Sequence, residues 1–221
     1  LAATGKPIVG LVFGGRPLDL RNLTQKADAV FQCFYLGQET GNSVADVLWG
    51  KADPGGRLPI SIPRSVGHIP AYYNYKPSAR RGYLFDDVSA LYPFGYGLSY
   101  TDFEVSAPTL ERPTVKVGET GKVSVTVRNT GDRAGSTVVQ MYIRDMFSTV
   151  TRPVKELKGF EKVYLEAGAS TTISFELGEE QLEYLGPDMT WIVEPGDFNV
   201  MVGTSSREED LKTIRFTVAA R

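Results

Sequence analysis

The sequence predicts a partial α/β domain followed by an antiparallel β-sandwich. Two continuous apolar runs near the start are typical of parallel strands that are covered on both faces. Beyond residue 102, apolar and polar residues alternate with period two, which is typical of half-buried antiparallel strands. An irregular, aromatic-rich stretch separates the two patterns. We therefore predict an α/β part at residues 1–63, a connector at 64–101 and a sandwich at 102–221.

The first 63 residues contain predicted helices and strands in alternation. Gly5 is placed to end a helical turn, and Gly50 is placed to end a longer helix. The prolines at 59 and 63 restrict the last strand to a sheet edge or a strand end. In order, the predicted elements are a strand at 8–13, a short helix at 18–27, a strand at 29–36, a helix at 41–49 and a short strand at 58–63.

This α/β part is too small to cover both faces of a sheet. The chain also opens inside a predicted helical turn rather than at a methionine. We therefore expect it to be the tail of a larger doubly wound domain. Its exposed apolar faces predict a companion chain carrying the upstream portion, or self-association.

The connector is unusually rich in aromatic side chains, which can bury large areas and argue against disorder. We interpret it as an ordered segment packed between domains, with sugar stacking as the alternative role for its rings. The aromatic residues are Tyr72, Tyr73, Tyr75, Tyr83, Phe85, Tyr92, Phe94, Tyr96 and Tyr100.

About seven short alternating strands are predicted after residue 102, which favours a β-sandwich. Turn signals separate them at 129–131, 167–168, 186–187 and 194–196. A cysteine–tryptophan–cysteine framework is absent from the sequence, so a fibronectin type III-like sandwich fits better than an immunoglobulin domain.

Composition excludes several function classes. The formal net charge is −2, from 24 basic and 26 acidic residues, so nothing favours nucleic acid as a partner. No apolar run reaches the roughly 20 residues of a membrane-spanning helix, and residues 1–5 do not resemble a signal peptide. The single cysteine, Cys33, lies in an apolar run and is expected to be a buried thiol.

Seven segments in order resemble the C-terminal part of glycoside hydrolase family 3, the β-glucosidase and β-xylosidase group. One departure is Leu36, where the family often has proline. The segments, which span essentially the whole chain, are Gly5-Lys-Pro7 with Gly15-Arg-Pro17, Gly37-Gln-Glu-Thr-Gly-Asn42 with Ala45-Asp-Val-Leu-Trp-Gly50, Pro54-Gly-Gly-Arg-Leu-Pro59, Tyr92-Pro-Phe-Gly-Tyr-Gly-Leu-Ser-Tyr-Thr101, Val138-Val-Gln-Met-Tyr142, Arg152-Pro-Val-Lys155 with Leu157-Lys-Gly-Phe160, and Glu194-Pro-Gly196 with Val202-Gly203.

The resemblance implies a parent enzyme in which a TIM barrel precedes an α/β sandwich domain and a fibronectin-like domain. It implies retaining hydrolysis of terminal β-linked glucose or xylose without metal or organic cofactor. Two carboxyl groups roughly 5–5.5 Å apart perform this reaction. In the family the nucleophile lies on the barrel and the acid/base glutamate lies upstream of the strand matching residues 8–13. Neither catalytic carboxylate has a matching position in this sequence, so this chain alone is expected to be inactive. Relatives of this family are often periplasmic or secreted.

Four residues are candidates for substrate binding. Glu39 and Arg16 each follow a predicted strand, where ligands of α/β sheets often bind. The alternative roles are a helix cap for Glu39 and an internal ion pair for Arg16. Tyr72 and Tyr73 are the connector residues named as candidates for sugar contact, and the alternative role for these rings is packing between domains.

The remaining titratable groups are expected to be structural. His68 is the only histidine, which is too few for a catalytic triad or a metal site. The adjacent pairs Asp86-Asp87 and Glu179-Glu180 are expected to be solvated acids. A second class of function, a non-catalytic carbohydrate-binding or adhesion module, is compatible with the sandwich.

Overall fold

A computed structural model describes residues 1–79, 82 and 87–220. Tyr83, Phe85 and Asp86, which the sequence singled out, lie outside the described residues. The helices and strands are β1 (Val9–Phe13), α1 (Arg21–Thr24), β2 (Ala29–Phe34), α2 (Thr40–Leu48), β3 (Phe103–Val105), β4 (Thr109–Leu110), β5 (Thr114–Lys116), β6 (Gly121–Asn129), β7 (Gly135–Asp145), β8 (Glu156–Leu165), β9 (Ser170–Leu177), α3 (Glu179–Leu182), β10 (Tyr184–Leu185), β11 (Trp191–Ile192), β12 (Gly196–Gly203) and β13 (Leu211–Ala219).

The α/β part is a two-stranded parallel sheet with helices, as the apolar runs predicted. β1 and β2 pair in parallel, with Val9 opposite Ala29 and Val12 opposite Gln32. The short 3₁₀ turn before β1 ends at Gly5, whose φ of 66° is left-handed. Only one face of β1 is covered in this chain. On the other face, the side chains of Val9, Leu11 and Phe13 point outward, and Val9 and Phe13 are 47% and 48% exposed.

Two predicted elements differ from the structure. The predicted helix at 18–27 is reduced to the four residues of α1. The predicted strand at 58–63 does not form, because Pro59 and Pro63 have no N–H to donate to a ladder. That segment instead makes separate backbone bonds to residues 91–96, including an isolated antiparallel bridge between Ile62 and Tyr92.

The second part is a β-sandwich of two sheets, which confirms the fibronectin type III-like fold class. One sheet has the strand order β5-β13-β12-β7-β8. In the other, β6 pairs with β9 on one side and with β3 and β4 on the other. β10 and β11 form a separate small hairpin. Each predicted turn signal lies between strands or overlaps a strand end, as at Asn129 of β6 and Gly196 of β12.

The core of the sandwich consists of the inward side chains that the alternation predicted. β6 alternates buried and exposed residues along its whole length. Phe198 and Phe216 are the largest of its fully buried side chains. Others are Val123, Val125, Val127, Val139, Met141, Leu177, Val200 and Val202.

β7 is buried on both faces along its middle, as is the second half of β12. Val139 and Met141 point into the sandwich core, whereas Gln140 and Tyr142 point to the opposite face and are also buried. The connector covers that second face, since Tyr73 packs edge-on against Tyr142 with ring centroids 5.6 Å apart. The connector is therefore packed against the sandwich along β7.

Candidate functional site

The loops that follow β1 and β2 lie side by side at one edge of the α/β part. The strands are parallel, so their carboxyl ends meet at the same edge, where ligands of such sheets bind. The loops also touch: a Cβ on Gly15 would lie 2.8 Å from the ring of Tyr35. Arg16 belongs to the first loop and Glu39 to the second. The fold thus brings the two predicted site residues to one edge.

Arg16 is exposed, and its guanidinium forms no hydrogen bond or ion pair with any other described residue. The internal ion pair considered as its alternative role is therefore not seen in the described part of the chain. A guanidinium in this position is free to bind a carboxylate or a hydroxyl group from outside the chain.

Glu39 ends a 3₁₀ turn, Gly37–Glu39, and stands at the N-cap position of α2. Its Oε2 accepts a hydrogen bond of 2.6 Å from Asn42 Nδ2. It makes no side-chain bond to the helix backbone, so the expected cap is replaced by a side-chain pair. The carboxylate is exposed and retains acceptor sites for another ligand.

The two connector tyrosines occupy different environments. Tyr72 is exposed. The ring of Tyr73 stacks on Phe94 with centroids 4.4 Å apart, and its hydroxyl accepts a hydrogen bond of 3.1 Å from the Leu157 N–H. Burial raises the pKa of Tyr73. Tyr73 is thus packed between the connector and the sandwich.

Gln140 fixes the connector to the sandwich. It lies in the segment Val138-Val-Gln-Met-Tyr142, but this role was not predicted from the sequence. Its Nε2 donates to the carbonyls of Gly95, at 3.1 Å, and Thr204, at 2.8 Å. Its Oε1 accepts a 2.5 Å hydrogen bond from the Tyr142 hydroxyl. Gly95 has φ of 79°, and a Cβ there would lie 2.0 Å from the Gln140 Oε1. The sequence signal for this role was a polar residue, Gln140, between the apolar residues Val139 and Met141 of a predicted strand.

Asp53, which lies outside the quoted segments, is a second residue whose role was not predicted from the sequence. Its Oδ1 accepts from the Ser99 hydroxyl at 2.6 Å and the Tyr100 N–H at 2.8 Å, and its Oδ2 accepts from the Ser136 N–H at 2.8 Å. Burial alone would raise its pKa. The hydrogen bonds, with the nearby Arg57 charge, outweigh burial and hold the pKa of Asp53 below its ordinary value.

The other titratable residues named from the sequence lie in differing environments. Cys33 is buried, and burial raises the pKa of its thiol. Glu179 and Glu180 are exposed and begin α3. His68 lies in a 3₁₀ turn, and Asp87 accepts a 2.5 Å hydrogen bond from Arg64. Within the described part of the chain, no group of three or more histidine, cysteine or acidic residues could hold a metal ion.

Two family models match the chain. "Glycosyl hydrolase family 3 C-terminal domain" matches residues 1–100, and "Fibronectin type III-like domain" matches residues 137–206. No helix of the described residues is long and apolar enough to cross a membrane.

Named relatives match nearly the whole chain. A protein named periplasmic β-glucosidase from Salmonella typhimurium is 47% identical over 93% of this chain, and one named β-xylosidase from Formosa agariphila is 42% identical over 97%. This chain spans only 28% and 30% of their respective lengths.

Solved structures give the same result. A β-glucosidase from Erythrobacter marinus superposes with a TM-score of 0.95 at 44% identity, covering 99% of this chain and 29% of that one. A β-glucosidase from Listeria innocua, solved with gluconolactone, superposes with a TM-score of 0.93 at 38% identity. The match covers 99% of this chain and 31% of that one. From these matches, the chain belongs to glycoside hydrolase family 3 and corresponds to the C-terminal part of its members.

Proposed function

We propose that this chain is the C-terminal part of a retaining glycoside hydrolase that removes terminal β-linked glucose or xylose. The observation that carries the proposal is the match of nearly the whole chain to proteins named β-glucosidase and β-xylosidase. The chain supplies supporting domains, and the two catalytic carboxylates belong to the upstream part. A stand-alone carbohydrate-binding or adhesion module is not favoured, because the match includes the α/β part at residues 1–100.

The proposed partner of the α/β part is the upstream portion of the same enzyme, as one polypeptide or as a companion chain. The outward face of β1 supports this, since it carries apolar residues without cover in this chain. The proposed domain limits are residues 1–63, 64–101 and 102–221. A periplasmic or secreted location is proposed from the name of the Salmonella relative.

Arg16, Glu39 and Tyr72 are the proposed contacts to substrate in the complete enzyme. Their support is that all three are exposed, and that Arg16 and Glu39 lie at the edge where the two parallel strands end. Tyr73 acts through the position of the connector, because its ring and hydroxyl are already engaged with Phe94 and Leu157.

The test is to express the complete gene product, including the residues that precede position 1, and to assay it with aryl β-glucosides and β-xylosides. We expect hydrolysis with retention of the anomeric configuration and no requirement for added metal. Substituting Arg16→Met or Glu39→Gln should raise KM or lower kcat. Lys6 is an exposed cation before β1, and Lys6→Met, the matched control, should leave both constants unchanged. A gene product with no glycosidase activity would contradict the proposal.

A further inference from the structure

The β-sandwich carries a pocket of about 280 Å³ between the start of β8 and the hairpin formed by β10 and β11. Its lining includes Arg152, Glu156, Lys158, Glu183, Tyr184 and Trp191. The pocket is far along the chain from Arg16 and Glu39, and it uses none of the residues proposed to contact the substrate of the catalytic reaction.

One side of the pocket is held rigidly by Arg152, whose side chain is only 10% exposed. Its guanidinium lies over the ring of Tyr184, with 4.7 Å between the guanidinium carbon and the ring centroid. It pairs with the carboxylate of Glu156, and its Nη1 lies 3.7 Å from Asp145 Oδ2. These contacts fix the side chains before any ligand arrives, which reduces the entropy lost on binding.

Trp191 provides an exposed aromatic wall. It lies on β11 directly opposite Leu185 of β10, and it is 65% exposed. A large indole face left open to water beside a pocket is typical of a binding surface rather than of a core. Exposed indole faces suit flat, partly apolar ligands.

The polar groups of the pocket include two that are without partners. Neither Lys158 nor Glu183 forms a side-chain hydrogen bond or ion pair with another described residue. The ammonium group can donate to a ligand oxygen, and the carboxylate can accept from a ligand hydroxyl. The lining holds two cationic and two anionic side chains, Arg152 and Lys158 against Glu156 and Glu183. This balance favours a neutral ligand over an anion or a cation.

We propose that this pocket binds one pyranose unit of a neutral saccharide without catalysis. A pyranose ring presents a flat face of C–H groups to the indole and hydroxyl groups at its rim to Lys158 and Glu183. The volume of about 280 Å³ lies just below the range of about 300–1,000 Å³ for drug-sized ligands, so the pocket suits a ligand no larger than one sugar unit. This role goes beyond the proposed hydrolysis and does not depend on it.

The test is to titrate the 221-residue chain with methyl β-glucoside, methyl β-xyloside, cellobiose and xylobiose. Saturation-transfer NMR and calorimetry measure the binding. We expect saturable binding with a dissociation constant on the order of 1–10 mM, as expected for a small polar ligand. Trp191→Ala should weaken binding at least about tenfold. Lys158→Met and Glu183→Gln, at half-buried positions without side-chain partners among the described residues, should each weaken it by about threefold or more.

Trp49 offers a matched control, because it is the other tryptophan of the chain and is 77% exposed on the α/β part. Trp49→Phe should leave binding unchanged, and the fluorescence of that variant reports on Trp191 alone. Its emission should change saturably with the same dissociation constant. Three results would overturn the proposal: no saturable binding of any glycoside, undiminished binding by Trp191→Ala, or saturable binding of glycine betaine in place of the sugars.

Discussion

The two carboxylate oxygens of Asp53 join three segments of the chain by hydrogen bonds. They accept hydrogen bonds from Ser99, from Tyr100 and from Ser136 at the start of β7. Hydrogen bonds to an ionised group are stronger than neutral ones. This side chain therefore links the α/β part, the connector and the sandwich.

Asp53→Asn should destabilise the chain at neutral pH by about 2 kcal/mol, because an amide has only one acceptor oxygen for these donors. The folded pKa of Asp53 is lowered from 3.8. Its stabilising contribution is therefore present above about pH 3.8 and is lost as pH falls through the folded pKa. Urea unfolding at several pH values should show the wild type and the variant converging in acid.

Asp46→Asn is the control for this experiment. Asp46 makes only an exposed pair with Lys51, with 3.9 Å between Oδ1 and Nζ, and such pairs contribute little. Equal effects of the two substitutions at neutral pH would contradict the role given to Asp53.

Gln140→Leu should cost about 3 kcal/mol or more of unfolding free energy. The leucine would leave the buried Gly95 carbonyl and Tyr142 hydroxyl, and the half-buried Thr204 carbonyl, without their partner. Gln38→Leu, at an exposed position after β2, should change stability by less than about 0.5 kcal/mol. Thermal unfolding of both variants gives the comparison, and a stable Gln140→Leu chain would refute this account of the connector.

At the scale of secondary structure, predictions succeeded where local pattern and burial agree. β6 and β9 carry one buried face, so their alternation is visible in the sequence. α2 was predicted from its apolar spacing and from the glycine at 50 that follows it. The prediction of a strand at 58–63 was wrong, because the apolar composition suggested a strand that the two prolines do not allow.

The links between the parts were not predictable in the same way. Gln140 and Gly95 are 45 residues apart, and Asp53 and Ser136 are 83 apart. No local pattern encodes such partners, because they depend on how the connector folds back on β7. Arg16 and Glu39 were predictable as neighbours, since parallel pairing of two consecutive strands brings their carboxyl ends together.

The outward face of β1 predicts the association behaviour of the chain. Val9, Leu11 and Phe13 form an exposed apolar row on a two-stranded sheet. Such a face favours contact with a second surface. Light scattering should show concentration-dependent self-association when no upstream portion is present.

Replacing Leu11 and Phe13 together by lysine should shift the chain towards the monomer of 24.2 kDa. Phe160→Lys is the control, because Phe160 is also exposed but lies on β8 of the sandwich. A wild-type chain that stays monomeric at high concentration, without a partner, would count against an uncovered β1 face.

For the whole molecule, the connector and the sandwich form one packed unit, to which the α/β part is attached. The guanidinium of Arg133 on the sandwich donates to the Gly50 carbonyl at 2.9 Å and lies over the ring of Tyr100. The segment 92–101, which carries the clearest family resemblance, lies at this junction. It therefore identifies a glycosidase family while serving as the joint between supporting domains.

We propose that this chain supports a glycosidase without carrying its catalytic carboxylates. The most direct measurement is hydrolysis of aryl β-glucoside and aryl β-xyloside by the purified 221-residue chain alone. The account predicts release of the aryl alcohol at the rate of the buffer blank. Turnover above the blank that persists through further purification would contradict it.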